Sequence, residues 1–153
     1  MFCLIFCYNV LVFIWNVGAN SLIQGTLPRI LCPTPGSADE QSLTAFNQRY
    51  VSILRDNANL VKEFFSDTPA LTPVEPKGAM YAMIGLNMKY FNTDEIPDDA
   101  AFANKLLQEE NLFLLPGKCF NSDNYVRLVM CCPADMLRDA CERIKAFCGR
   151  HCR

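Results

Sequence analysis

Apolar side chains recur at helical spacing through the middle of the chain. Between residues 43 and 65 they follow steps of three and four, as one face of a long amphipathic helix does. The positions are Leu43, Phe46, Tyr50, Ile53, Leu54, Ala58, Val61 and Phe65. We expect this face to be part of the core.

Shorter elements flank the long helix. A short helix is predicted over residues 21–31, and prolines at 69, 73 and 76 end the long one. Strand composition follows at 78–84, 112–115 and 124–130, while Pro97 and Pro133 open two further helices. From residue 37 the order is helix, strand, helix, strand, strand and helix. This order predicts an α/β fold in which helices cover one small sheet.

Arg127 interrupts the apolar strand at 124–130 and needs an explanation. A buried unpaired charge costs several kcal/mol, and arginine does not lose its proton. Its planar fork suits a carboxylate or a phosphate held through two parallel hydrogen bonds. Three explanations fit: an internal ion pair with Asp or Glu, an edge strand with Arg127 facing water, or a bound anionic ligand. The local sequence favours the first two.

Composition narrows the class of protein. The chain has 153 residues, the size of one domain, with 14 basic and 16 acidic side chains and a net charge of -2. It has no basic stripe with interleaved aromatic residues, so we expect no nucleic-acid partner. The nine cysteines are an odd number and lie in apolar segments. This suits a reducing compartment, and we expect a cytoplasmic protein.

The first fifteen residues are nearly all large and apolar. A signal sequence is one interpretation, with small residues at 17–19 for cleavage, although no Lys or Arg precedes the apolar run. A transmembrane helix is a second, but it usually needs roughly 20 apolar residues. The third, which we favour, is a buried strand or a foreign start joined to a domain that begins elsewhere. A membrane partner is therefore not expected.

Catalytic motifs are scarce. The single histidine, His151, lies two positions from the end, where we expect a frayed tail, so no serine or cysteine triad is predicted. Cys148, His151 and Cys152 lack the paired C-x-x-C spacing of zinc sites, and we predict no metal site. The acidic residues at 94–99 are interpreted as a solvated loop and a helix start. We therefore assign no catalytic residue.

Four segments in order carry a resemblance to a known family: Pro76–Tyr81, Leu114–Phe120, Tyr125–Val129 and Ala140–Cys148. Upstream, residues 17–25 with Leu27, Ile30 and Leu31 add to them. Together they resemble the C-terminal part of class I, fold-type I aminotransferases, which use pyridoxal phosphate, and within them the tyrosine aminotransferase group. The resemblance extends from about residue 17 to the end.

The resemblance implies a domain organisation. Residues 1–16 are an unmatched apolar start, 17–36 a remnant of the large-domain or interface segment, and 37–153 the small C-terminal domain of the family. It also implies a homodimer for the intact enzyme. Arg127 would hold the carboxylate of an amino-acid or keto-acid substrate, and the loop with Gly117 and Phe120 would help to wall its pocket. Asn20 is a candidate cofactor contact, whereas the strand from Gly78 to Tyr81 would be structural.

One departure from the family limits this expectation. The Schiff-base lysine of these enzymes lies in a serine-lysine segment, and none of the six lysines here has that context. We therefore expect a fragment of a transferase that, when intact, moves the amino group of an aromatic amino acid to 2-oxoglutarate, and that is inactive alone. The alternative is a non-enzymatic carboxylate-binding or interaction domain, secreted or anchored through residues 1–19.

Overall fold

The computed structural model describes residues 21–152, which form four helices and a four-stranded sheet. The helices are α1 (Ser21–Leu31), α2 (Ala38–Phe65), α3 (Asp99–Glu110) and α4 (Ala134–His151). The strands are β1 (Leu71–Pro73), β2 (Tyr81–Leu86), β3 (Leu115–Pro116) and β4 (Tyr125–Val129), and two short 3₁₀ turns are Met88–Tyr90 and Gly117–Phe120. The predicted α/β class and order of elements are confirmed, with β1 as an added strand in the proline-rich segment.

The sheet has the order β1-β2-β4-β3, and every neighbouring pair is antiparallel. β4 therefore lies inside the sheet, and Arg127 pairs with Met83 on one side and Leu115 on the other. The edge-strand explanation for Arg127 is wrong. The strand predicted at 112–115 is displaced, because Asn111 ends α3 in the left-handed conformation and the ladder begins only at Leu115.

Alternation along β2 and β4 gives the sheet two different faces. On the inner face, the strand residues are buried and pack with α3 and α4 into one hydrophobic cluster. Phe102 lies at its centre, in edge-to-face contact with Phe91 and Phe147 at centroid distances of 5.5 Å and 5.2 Å. The outer face carries Tyr81, Arg127 and Val129, which are partly or largely exposed. The strand at 124–130 is therefore buried on one face only.

The long helix α2 is packed unevenly. Its buried residues, Asn57, Val61 and Phe65, all lie in its C-terminal half. In the N-terminal half, Phe46 is 64% exposed, so the expectation that the whole apolar face is core is wrong. The chain divides into two compact units, residues 1–49 and 50–153, and the buried part of α2 belongs to the second. The domain boundaries after residues 16 and 36 stay predictions.

His151 is the last residue of α4 and not part of a frayed tail. Its ring lies 4.5 Å from that of Phe147, and its Nε2 is 3.0 Å from the carboxylate of Glu109. Its Nδ1 lies 3.3 Å from Glu95. The predicted tail is wrong because these contacts fasten the end of α4 to α3 and to the loop that precedes it.

No helix among residues 21–152 combines the length and apolar character that a membrane span requires. Within the same residues, no group of three or more His, Cys, Asp or Glu side chains could hold a metal ion.

Candidate functional site

Arg127 lies between two aromatic side chains on the outer face of the sheet. Its guanidinium carbon is 4.7 Å from the ring centroid of Tyr81 and 4.5 Å from that of Phe120. Tyr81 comes from β2 and Phe120 from the turn after β3, so the rings approach from opposite sides of β4. Both distances lie within the range of cation–π contact, worth about 0.5–1 kcal/mol each when exposed.

No carboxylate of the described residues forms an ion pair with Arg127. The internal ion-pair explanation is therefore wrong for this part of the chain. Its Nε is buried and has no hydrogen-bond partner among the described residues. A buried unsatisfied donor costs about 1–3 kcal/mol, so the strand tolerates this arginine at a cost.

The terminal nitrogens of Arg127 differ from Nε. They are not among the buried unpartnered atoms, and the described residues give them no hydrogen bond. They form the end of the planar fork, which can hold a carboxylate through two parallel hydrogen bonds. Of the three explanations from the sequence, the structure of residues 21–152 contradicts two, and a bound ligand stays a prediction.

Gly117 allows the turn that carries Phe120 to form. A Cβ atom there would lie 2.2 Å from the carbonyl oxygen of Ser122 and 2.8 Å from that of Tyr125. Because both neighbours are backbone atoms, no side-chain movement would relieve the clash. Ser122 N–H donates to the Gly117 carbonyl at 3.0 Å and closes the turn. Glycine is therefore required at this position.

The buried carboxylate of Asp99 holds the turn that carries Phe120 through a hydrogen bond. The Lys118 N–H donates to Oδ2 of Asp99 at 2.7 Å, and Asp99 is 1% exposed. Its neighbour Asp98 caps α3 by accepting from Ala101 N–H at 2.8 Å, at the helix start that the sequence predicted. The interpretation of Asp99 as a solvated acid is wrong, because its oxygen binds a backbone donor of the turn.

Two asparagines return the chain from Phe120 to β4. Asn121 and Asn124 adopt left-handed conformations, with φ of 54° and 63°. Asparagine reaches this region more readily than other residues with a Cβ, because its short polar side chain hydrogen-bonds locally. The backbone from Gly117 to Asn124 thus places Phe120 against Arg127 by local conformational preference.

Sequence reasoning missed Tyr81, which it assigned to a merely structural strand. The alternation of β2 could have indicated it. Ala82 and Ile84 are buried on the inner face, so Tyr81 must point to the outer face, where Arg127 also lies. What alternation cannot supply is the register, which sets Tyr81 opposite Val129 and therefore next to Arg127.

The lysines of the described residues are mostly engaged in ion pairs. Four of the six pair with carboxylates: Lys62 with Glu75, Lys105 with Glu95, Lys118 with Asp98 and Lys145 with Asp67. Asn20, the candidate cofactor contact, lies outside the described residues.

Two buried thiols in α4 are unsuited to nucleophilic chemistry. Burial raises the pKa of the Cys141 thiol to about 12, and it raises that of Cys148 to about 12 as well. The thiolate is the reactive form of cysteine, and at neutral pH these two side chains are thiols. They act as small apolar residues of the core, as the sequence predicted for cysteines in apolar segments.

Residues 21–144 match a family model described as aminotransferase class I and II. The tyrosine aminotransferase of Homo sapiens is 37% identical over 135 residues, which cover 88% of this chain and 28% of the relative. That of Caenorhabditis elegans is 34% identical over 135 residues, covering 88% of this chain and 26% of the relative. The chain thus spans less than a third of the length of these curated relatives.

Solved structures of aminotransferases share the fold. The crystal structure of tyrosine aminotransferase from Leishmania infantum has a TM-score of 0.76 and 30% identity, covering 89% of this chain and 31% of that chain. Aspartate aminotransferase from Thermotoga maritima has a TM-score of 0.57 and 29% identity, covering 66% of this chain and 24% of that chain.

Proposed function

Because this chain belongs to the class I and II aminotransferase family, we propose that it supplies the substrate-carboxylate site of an aminotransferase, centred on Arg127. One observation carries the proposal. The guanidinium has no carboxylate partner among residues 21–152, lies between two rings and keeps its terminal nitrogens available there. The chain has the fold of fold-type I aminotransferases and is most similar in sequence to tyrosine aminotransferases among the relatives described above.

Arg127 acts by position and not by proton transfer. Because Nε is buried, the carboxylate of the substrate approaches the end of the fork and accepts hydrogen bonds from the two terminal nitrogens. Two parallel hydrogen bonds fix both the place and the rotation of the carboxylate. The neighbouring α-carbon is then oriented for bond breaking, the kind of contribution that lowers the entropic part of a barrier.

The cofactor that we propose for the intact enzyme is pyridoxal phosphate, which serves as an electron sink for the α-carbon when bound. The described residues do not fit a complete site for it. Four of their six lysines are ion-paired at the surface, and none of the six has the sequence context of a Schiff-base lysine. We assign the lysine and the phosphate contacts to another part of the intact enzyme, with Asn20 as a proposed contact from this chain.

The proposed reaction is amino transfer from an aromatic amino acid to 2-oxoglutarate. The support is the identity of 34–37% to the tyrosine aminotransferases of Homo sapiens and Caenorhabditis elegans. We further propose a homodimer for the intact enzyme and a cytoplasmic location, which the cysteine content favours.

Activity of the chain by itself is the first test. Mixed with pyridoxal phosphate, tyrosine and 2-oxoglutarate, the 153-residue chain is expected to yield no 4-hydroxyphenylpyruvate, measured by its absorbance. Turnover above the rate without protein would contradict the proposal that the Schiff-base lysine lies elsewhere.

Complementation is the second test. The chain is co-expressed with a tyrosine aminotransferase that lacks the matching segment, and restored transamination is measured. We expect Arg127→Leu to lower the restored activity about 100-fold, because a charged hydrogen-bonded partner of the substrate is lost. The matched control is Arg138→Leu, which removes an arginine that lies over one ring, Phe64, at 5.8 Å.

Two results would overturn parts of this proposal. Full activity of Arg127→Leu would remove Arg127 from the substrate site. Carboxylate binding without any complementation, together with processing after Ala19 found by N-terminal sequencing, would favour the secreted or anchored carboxylate-binding domain.

A further inference from the structure

We propose that Tyr81 is a positioning residue for substrate binding. With Phe120 it forms an aromatic clamp, defined as these two rings, that fixes the plane of the Arg127 guanidinium. The inference rests on the proposed function, since it concerns how the carboxylate site is held ready. It assigns a role to a tyrosine whose strand the sequence marked as structural.

The first argument is geometric. The rings lie 4.7 Å and 4.5 Å from the guanidinium carbon, and they come from β2 and from the turn after β3, on opposite sides of β4. Two rings at nearly equal distance restrict rotation of a flat cation more than one ring does. The orientation of the fork is thereby set before a ligand arrives.

The second argument concerns what else could hold the group. Within residues 21–152, no carboxylate pairs with Arg127, and its Nε makes no hydrogen bond. The usual means of fixing an arginine are therefore missing, and the clamp takes their place. A side chain that is ordered in advance loses less conformational entropy on binding, so the ligand binds more tightly.

The third argument separates positioning from core packing. Tyr81 lies on the outer face of the sheet and is 40% exposed. Its strand neighbours Ala82 and Ile84 supply the packing on the inner face. The contact with Arg127 needs the ring and not the hydroxyl group, so phenylalanine should replace tyrosine here, whereas leucine should not.

The experiment uses the full chain labelled with ¹⁵N and follows the Nε–H resonance of Arg127 by NMR. The resonance is assigned by its loss in Arg127→Lys. Without ligand, we expect a ring-current shift and a high heteronuclear NOE in the wild type and in Tyr81→Phe. In Tyr81→Leu, both should move towards the values of exposed arginines. Tyr90→Leu is the matched control, because Tyr90 is 39% exposed and is not one of the two rings over the Arg127 guanidinium.

Affinity provides a second readout, with 3-(4-hydroxyphenyl)propionate as the carboxylate probe. Its Kd, measured by the same NMR titration, should rise about two- to fivefold in Tyr81→Leu, the loss expected from one cation–π contact. It should stay near the wild-type value in Tyr81→Phe and Tyr90→Leu. Rescue by phenylalanine distinguishes positioning by the ring from a general loss of structure.

Each result decides something. An unchanged Nε–H shift, NOE and Kd in Tyr81→Leu would overturn the clamp. If the wild type does not bind the probe, the proposed function fails, and the ligand-free spectra still decide the clamp. If the backbone spectrum of Tyr81→Leu shows misfolding, Phe120→Leu tests the same clamp from an exposed turn, with the same expected changes.

Discussion

The two faces of the central sheet come from the same strands but serve different purposes. On β4, Val126 and Leu128 point inward and are buried, whereas Tyr125, Arg127 and Val129 point outward. The inner face is wholly apolar and packs with α3 and α4, while the outer face holds a cation between two rings. Alternation thus divides one strand between the packing of the core and the outer face on which we propose the carboxylate site.

Two substitutions at neighbouring positions of β4 should show the largest difference between the inner and the outer face of the sheet. Leu128→Ala removes a buried side chain of the inner face and should lower the free energy of unfolding by about 2–5 kcal/mol. Val129→Ala, at a position 50% exposed, should change it by less than about 0.5 kcal/mol. Urea unfolding followed by circular dichroism measures both. Equal losses would mean that the outer face is packed as tightly as the inner one.

A smaller effect is expected for Gly117, which lies in the turn that places Phe120 on the outer face. Gly117→Ala places a methyl group against the carbonyl oxygens of Ser122 and Tyr125, so the turn must move. We expect a loss of about 1–3 kcal/mol in stability, together with a changed Nε–H shift of Arg127 because Phe120 is displaced. Gly149→Ala is the control, since a Cβ there meets no atom within 4 Å. A Gly117→Ala variant of wild-type stability and spectrum would show that the turn adapts freely.

A further effect depends on pH and tests whether water reaches the two buried thiols of α4. Burial raises the pKa of Cys141 and of Cys148 to about 12 from the ordinary value of 9.0. Because the pKa of each thiol is higher in the folded state than in the unfolded state, its contribution to the free energy of unfolding is complete below pH 9. That contribution is lost as the pH rises towards 12. Stability should therefore decline between about pH 9 and 12, and less so in Cys141→Ala, measured by urea unfolding at each pH.

Alkylation offers a check on the same point. Iodoacetamide at pH 8 should modify exposed Cys119 and Cys131 and spare Cys141 and Cys148, as seen by mass spectrometry of peptides. Rapid modification of Cys141 in the folded chain would mean that the packing between α4 and the inner face of the sheet opens readily.

Local signals predicted much of the fold. The bounds of α1 match the predicted residues 21–31, and Asp98 caps α3 where the sequence placed a helix start. These succeed because capping, proline and helical periodicity act within a few residues. Periodicity did not predict the burial of the first half of α2 correctly, because Phe46 is exposed there. An apolar face shows that a helix is amphipathic, but it does not show which other element packs against it.

The candidate site was predicted in part. Arg127 was found because a charge in an apolar strand is conspicuous, and Phe120 followed from the family resemblance. Tyr81 was missed, and Asp99 was interpreted as solvated although it binds Lys118 N–H. Both residues act through partners distant in the sequence, 46 residues away for Tyr81 and Arg127 and 19 for Asp99 and Lys118.

By itself, the sequence determined the family, the order of elements and the presence of one arginine that needed a partner. Only the tertiary structure decided that no carboxylate of the part of the chain that it describes, residues 21–152, is this partner. The sheet order β1-β2-β4-β3 puts β4 inside, and the register brings Tyr81 and Phe120 to either side of the guanidinium. Register depends on the simultaneous pairing of strands far apart in the chain, which no local pattern of apolar and polar residues contains.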